Sequence, residues 1–287
     1  MRAVRRAYTG PAEFLADAGN RARVGEYLAD MARPYAREVP AALFGEPPSP
    51  ALGHSYGEMA EALIGPAVPA DEPVDLLVLA FSSHDLRPGR QTAAYLSHLT
   101  PGAPMAFAIC DQGSAAAFSG LRIAREYASS AGIRRALLIV VEQAALPYDC
   151  PVTLPSQHRA VAMLYGDDAM PLARVAGLRQ HPGVPPGEAA GLAAADLAEL
   201  ADGHHVVGLV LGDALAAVWP APAAGRVRVM PPGQPSTAVW WGLTGELTGE
   251  LTGDAGHPDL LVAADYDPGL RYLCLAAFVI PPGPSPG

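Results

Sequence analysis

Three short apolar runs, at residues 75–81, 104–109 and 136–141, constrain this chain more than any other feature. Asp75-Leu-Leu-Val-Leu-Ala-Phe81 and Ala136-Leu-Leu-Ile-Val-Val141 are near-continuous in Val, Leu and Ile. Such runs mark strands covered on both faces rather than half-wet ones. Residues 90–99 and 114–130 lie between the runs and read as helices, the second ended by Gly132 where a left-handed C-terminal residue belongs. Strand, helix, strand, helix, strand is the order of an α/β layered sheet with parallel central strands.

Upstream, residues 11–42 carry apolar positions at helical spacing until Pro34 and Pro40 interrupt them, 45–50 reads as a loop, and 56–64 as an amphipathic helix. Downstream, 160–165 and 171–175 read as a hairpin around Gly166-Asp-Asp168. The Pro/Gly-rich stretch 177–187 reads as a junction. A weaker echo of the first half follows, with a helix at 189–200, strands at 206–211 and 226–230, and a helix starting at 237–243. A last hairpin, 260–266 and 271–280, turns at Asp267-Pro-Gly269. We therefore expect two similar halves, 1–176 and a shortened 188–281, forming one globular unit. The triple Leu-Thr-Gly-Glu/Asp repeat at 243–254 reads as a tolerated low-complexity expansion.

Composition narrows the chemistry. All 19 basic residues are arginine, and Asn20 is the sole asparagine. No lysine is present to form a Schiff base, and no later asparagine can serve as a donor. A net charge of −10 argues against a general nucleic-acid binder. Cys110, Cys150 and Cys274 have neither metal-site nor disulfide-framework spacing, so no metal site is expected. No apolar run approaches the roughly 20 residues of a membrane span, and a soluble cytoplasmic protein is the expectation.

The element order, with Ser114-Ala-Ala-Ala-Phe-Ser-Gly-Leu-Arg-Ile-Ala124 as an elbow and helix, Glu142 after the next strand, Leu164-Tyr-Gly-Asp-Asp-Ala169 and Asp265-Tyr-Asp-Pro-Gly-Leu270, resembles the thiolase fold. Within that fold it is similar to ketoacyl synthase III-type enzymes. The resemblance implies a nucleophile at Ser114, where the family has cysteine. It sets Gly212-Asp-Ala-Leu215 where the family has its histidine loop, and Gly233-Gln234 where its asparagine follows a glycine. With that pair degenerate, decarboxylative condensation is not expected. Serine at the nucleophile position resembles starter-unit acyltransferases of polyketide pathways.

Each candidate residue has a plainer reading beside the functional one. Ser114 opens a helix whose free N–H groups and dipole favour an oxyanion, but capping a helix is also a very common role for serine at that spot. His158 is the first candidate base and His84 the second; both also read as solvated loop residues. Asp111 could orient a base or cap the helix. Cys110 is a competing nucleophile that also reads as an inert buried thiol. His204-His205 could supply a base but lacks catalytic spacing. Arg87 and Arg90 would contact the phosphates of coenzyme A or a carrier-protein arm, or lie exposed without partners. Trp240 would shelter an acyl chain or adenine, or pack in a core.

Two functions follow. In the first, Ser114 takes an acyl group from an acyl-CoA or acyl carrier protein thioester and passes it on, in polyketide-like biosynthesis and with no bound cofactor. In the second, the chain is a catalytically inactive subunit paired with an active ketosynthase-like partner. A homodimer or such a heterodimer is expected, with neither nucleic acid nor membrane as partner.

Overall fold

A computed structural model describes residues 1–10, 12–49, 52–87, 91–146, 154–166, 171–220, 222, 224–251 and 258–281. Two five-stranded mixed sheets organise it. The first holds β1 (Arg2–Tyr8), β2 (Leu76–Ala80), β3 (Met105–Ile109), β4 (Arg135–Glu142) and β5 (His158–Gly166) in the order β1-β5-β4-β2-β3. The second holds β6 (Arg174–His181), β7 (Val207–Leu211), β8 (Arg226–Val229), β9 (Leu260–Asp267) and β10 (Tyr272–Val279) in the order β6-β10-β9-β7-β8. In each sheet the second strand pairs parallel with the third and fourth, and the remaining pairings are antiparallel. The topology is duplicated.

The helices are α1 (Ala18–Ala32), α2 (Tyr56–Ala67), α3 (Thr92–Leu99), α4 (Ala116–Ser130), α5 (Pro186–Leu200), α6 (Asp213–Val218) and α7 (Ala238–Leu247). They sort with three cores. Alternate residues of β2 divide the first two: Leu76, Val78 and Ala80 join a central core with α4 and α7 from between the sheets, while Leu77 and Leu79 join an outer core with α2 and α3. The third core sits between the second sheet and α5 and α6. Five layers result, with α4 and α7 in the middle. Burying β2 on both faces explains why its sequence shows no polar alternation.

The opening residues, Arg2 to Tyr8, to which the sequence assigns no element, form a strand antiparallel to β5. It lies at an edge, where half-buried arginines are tolerated. Several expectations need correcting. β3, expected to be covered on both faces, is also an edge strand, with Met105 and Ala108 exposed. β5 and β6 do not form a hairpin: β5 pairs within the first sheet and β6 with β10 in the second. Residues 177–181 of the expected junction belong to β6. The turn residues Asp167 and Asp168, and part of the Leu-Thr-Gly-Glu repeat, lie outside the described residues. The second half keeps all five strands but has short elements, notably α6 and β8. Among the described residues no helix is long and apolar enough to cross a membrane.

Candidate functional site

Ser114 lies in a 3-10 turn, Gly113–Ala115, that leads directly into α4. Gly113 takes the left-handed conformation at φ 50°, which bends the chain from β3 into the helix. Ser114 is buried, at 6 % exposure, and its hydroxyl makes no helix-capping bond. It meets the end of β9 from the other half instead. The Ser114 hydroxyl is close enough to the Asp265 carboxyl to favour its ionised form, and the Ser114 amide donates to Asp267 Oδ2 at 3.2 Å.

Asp265 is 5 % exposed and accepts from the Tyr266 amide at 2.8 Å. Burial, reinforced by the carboxylates of Asp213 and Asp267, pushes its carboxyl up to about 8, despite the hydrogen bonds that oppose this. Asp267 is only half-buried. Its Oδ1 accepts from the Leu270 amide at 2.9 Å, within an exposed turn.

Glu142, at the end of β4, is buried and makes the reciprocal contact. Its carboxylate takes the amides of Ser236 (2.5 Å) and Thr237 (3.0 Å), as well as the Thr237 hydroxyl, at the start of α7. Burial raises its carboxyl while those donors pull the other way. Ser82, after β2, meets the Ser236 hydroxyl at 2.5 Å. Gln234 donates to Ser156 Oγ (3.0 Å) and the Gln157 carbonyl (3.2 Å), so its amide is already engaged.

The structure does not bring His158 to Ser114. His158 shares its strand face with Ala160 and Ala162, which join the outer core, whereas Ser114 opens the helix on the inner side of the same sheet. His158 Nδ1 accepts from the Ala144 amide, and burial beside His54 lowers its pKa to about 4, so it is a neutral imidazole. It lines a cleft of about 580 Å³ with Tyr8, Leu52 and Ser156, separate from Ser114.

Asp111 is turned outward at φ 59° and accepts from the Cys110 thiol, neither capping α4 nor orienting a base. Cys110 is exposed rather than buried, and partial burial together with Asp111 raises its thiol pKa. His84 is exposed in the loop after β2. His204 and His205 lie before β7, at the opposite end of that strand from Gly212. Arg87 stacks on Phe14 at 4.8 Å, and Arg90 lies outside the described residues. Trp240 is fully buried against Phe118 in the central core, 4.7 Å between ring centroids, and not at an opening. Among the described residues no cluster of His, Cys, Asp and Glu is arranged to hold a metal.

The duplicated topology has parallels among solved structures. The fold is thiolase-like. AbyA1, a tetronic acid condensing enzyme, superposes with a TM-score of 0.61 at 15 % identity over 79 % of this chain and 86 % of its own. ChlB3, described as an acyltransferase, gives 0.59 at 17 % identity over 97 % and 96 %. The 3-oxoacyl-(acyl carrier protein) synthase III FabH from Pseudomonas aeruginosa PAO1 gives 0.56 at 17 % identity over 79 % and 84 %. No protein-family model and no curated protein sequence matches the chain.

The residues that meet Ser114, namely Asp265 and Asp267, were not singled out as site residues in the sequence. One signal was present. Asp265 follows Leu260-Leu-Val-Ala-Ala264, and a carboxyl continuing a fully buried strand needs a reason to be there.

Proposed function

We propose that this protein is an acyltransferase of the ketoacyl synthase III type. In this reading Ser114 takes an acyl group from a coenzyme A or carrier-protein thioester and passes it to an acceptor in natural-product biosynthesis. The observation that carries it is the Ser114 hydroxyl, held at the entry to α4 between the two sheets and set beside the buried Asp265 carboxyl. A hydroxyl there faces the positive end of a four-turn helix and has a proton acceptor at hand. The names of its structural neighbours, a condensing enzyme and an acyltransferase, are consistent with acyl chemistry on this fold.

Decarboxylative carbon–carbon condensation is not part of this reading. Gly212 has no side chain to donate, Gln234 spends its amide on Ser156 and Gln157, and no asparagine follows Asn20. Enolate stabilisation therefore lacks donors at the places where the resemblance puts them. In this reading Arg87 keeps a role at the substrate mouth only through its Phe14 stack, and Trp240 acts as core. The exposed β3 edge is where a second copy or a ketosynthase-like partner would add a strand.

A second reading has one observation in its favour. The Ser114 amide, the donor an oxyanion would use, is already taken by Asp267. If that contact is permanent, the chain is a silent thiolase-fold subunit and Ser114 is structural. Incubation with acyl-CoAs of several chain lengths, followed by intact mass measurement, separates the two. Acyl transfer predicts a stable acyl mass gain that Ser114→Ala abolishes; the silent subunit predicts no gain with any donor.

A further inference from the structure

Gly212 has ordinary extended backbone, φ −64° and ψ 149°, so its conformation does not require glycine. Space does. A Cβ at position 212 would lie 2.0 Å from Asp265 Oδ1 and 2.7 Å from its Cγ. The Asp265 carboxyl thus fills the volume into which a residue-212 side chain would project, with the Ser114 hydroxyl as its neighbour. We propose that Asp265 is the proton acceptor for Ser114, taking from β9 the place of a base on the loop after β7. The inference rests on the Ser114 acyl-transfer reading and supplies the base that reading needs.

The groups facing Asp265 fit this role. Asp213 comes from α6, Asp267 from the same strand, Cys274 from β10 across the register, and the hydroxyl of Ser114 from the turn before α4. Arg122, from α4, acts on the adjoining Cys274 thiol. Anionic and buried neighbours hold the proton on Asp265 to about pH 8, close to where a general base is most effective.

In the acylation step, ionised Asp265 takes the Ser114 hydroxyl proton as Oγ forms a bond to the thioester carbonyl carbon. The carbonyl π pair moves onto oxygen. When the intermediate collapses, the C–S bond breaks and protonated Asp265 returns the proton to the leaving thiolate. In the transfer step, the acceptor's X–H proton goes to Asp265 as X bonds to the same carbon. The Ser114 ester bond then breaks, and the proton returns to Oγ.

The test is the rate of Ser114 acylation by a short acyl-CoA between pH 6 and 10. The wild type is expected to speed up with pH, with a midpoint near 8 and a plateau above it. Asp265→Asn, isosteric with the protonated acid, is expected to lose about 10²–10⁴-fold at the plateau and to lose that midpoint. Gly212→His combined with Asp265→Gly puts an imidazole into the vacated volume and is expected to recover part of the rate, with a midpoint nearer 6.5. Melting temperatures at pH 7 verify that each variant folds. An Asp265→Asn protein acylating at the wild-type rate with an unchanged pH profile overturns the proposal while leaving Ser114 as nucleophile. An unacylated wild type across the whole range overturns both.

Discussion

The amide of Ser114 and the carboxylate of Asp267 meet at 3.2 Å across 153 residues of chain. The contact has a counterpart in the other half, where Glu142 closes the amides of Ser236 and Thr237. In both halves the fourth strand ends in a carboxylate that caps the central helix of the opposite half. The duplication thus explains why a carboxylate stands there at all. The two differ in setting: Glu142 is buried and triply bonded, whereas Asp267 is half-buried beside the exposed turn Pro268-Gly269-Leu270. Of the two, Asp267 is the one that can move aside.

If a thioester oxygen must displace Asp267 to reach the Ser114 amide, removing its charge will help. Asp267→Asn is expected to raise the acylation rate about tenfold to a hundredfold, because an oxyanion-hole donor is worth about 10²–10³ and is only partly blocked. Single-turnover kinetics at pH 8 measure this. An unchanged or slower rate means Asp267 contributes no barrier.

Glu142→Ala removes the acceptor for three donors at the start of α7 and leaves them buried. We expect a loss of about 3–5 kcal/mol, read from urea unfolding, since each orphaned donor costs about 1–3 kcal/mol and they relax only in part. A loss under about 1 kcal/mol would mean that the two halves are not held together at this point.

Much of this fold can be read in one dimension, and the reason is burial. β2 and β4 stand out as apolar because both their faces are covered, and α4 because its small residues pack between sheets. β1 was hidden because Arg2, Arg5 and Arg6 interrupt the apolar pattern of a strand, which an edge position tolerates. β5 and β6 follow each other in sequence and so look like a hairpin, but each completes a different sheet. The position of Ser114 follows from the elbow alone. Its partners do not, because 114 meets 265 and 267 only once two sheets have stacked. His158 reads as a loop residue but begins β5, on the sheet face turned away from Ser114.

Gly113 is confined twice over. Its φ of 50° disfavours any side chain, and a Cβ there would lie 1.8 Å from Asp267 Oδ2. Gly113→Ala is expected to cost about 2–4 kcal/mol, of which about 1–2 kcal/mol is left-handed strain. In an Asp267→Ala background only the strain should remain, a coupling that a double-mutant cycle resolves. Equal costs in both backgrounds would show that the collision is relieved elsewhere.

Asp265 also sets a pH dependence of stability. Folded, it holds its proton to about 8; unfolded, it releases it near 3.9. The native state therefore binds more protons between those values, and this group's contribution to stability falls as pH rises through that window. Asp265→Asn should match the wild type near pH 4. By pH 8 it should exceed it, by on the order of several kcal/mol at most. Chemical denaturation at both pH values checks this, and parallel curves for the two proteins would refute the raised pKa.

The nucleophile itself is best located by peptide mapping after reaction with an acyl-CoA at pH 8.5. With no lysine present, cleavage at arginine releases Ser114 and Cys110 together on the peptide from Gln91 to Arg122. Fragmentation then assigns the acyl group to one of them, and hydroxylamine distinguishes a labile thioester from an ester. An acyl ester on Ser114, absent from Ser114→Ala, is the predicted result. An adduct on exposed Cys110 alone, or an unmodified peptide, would contradict it.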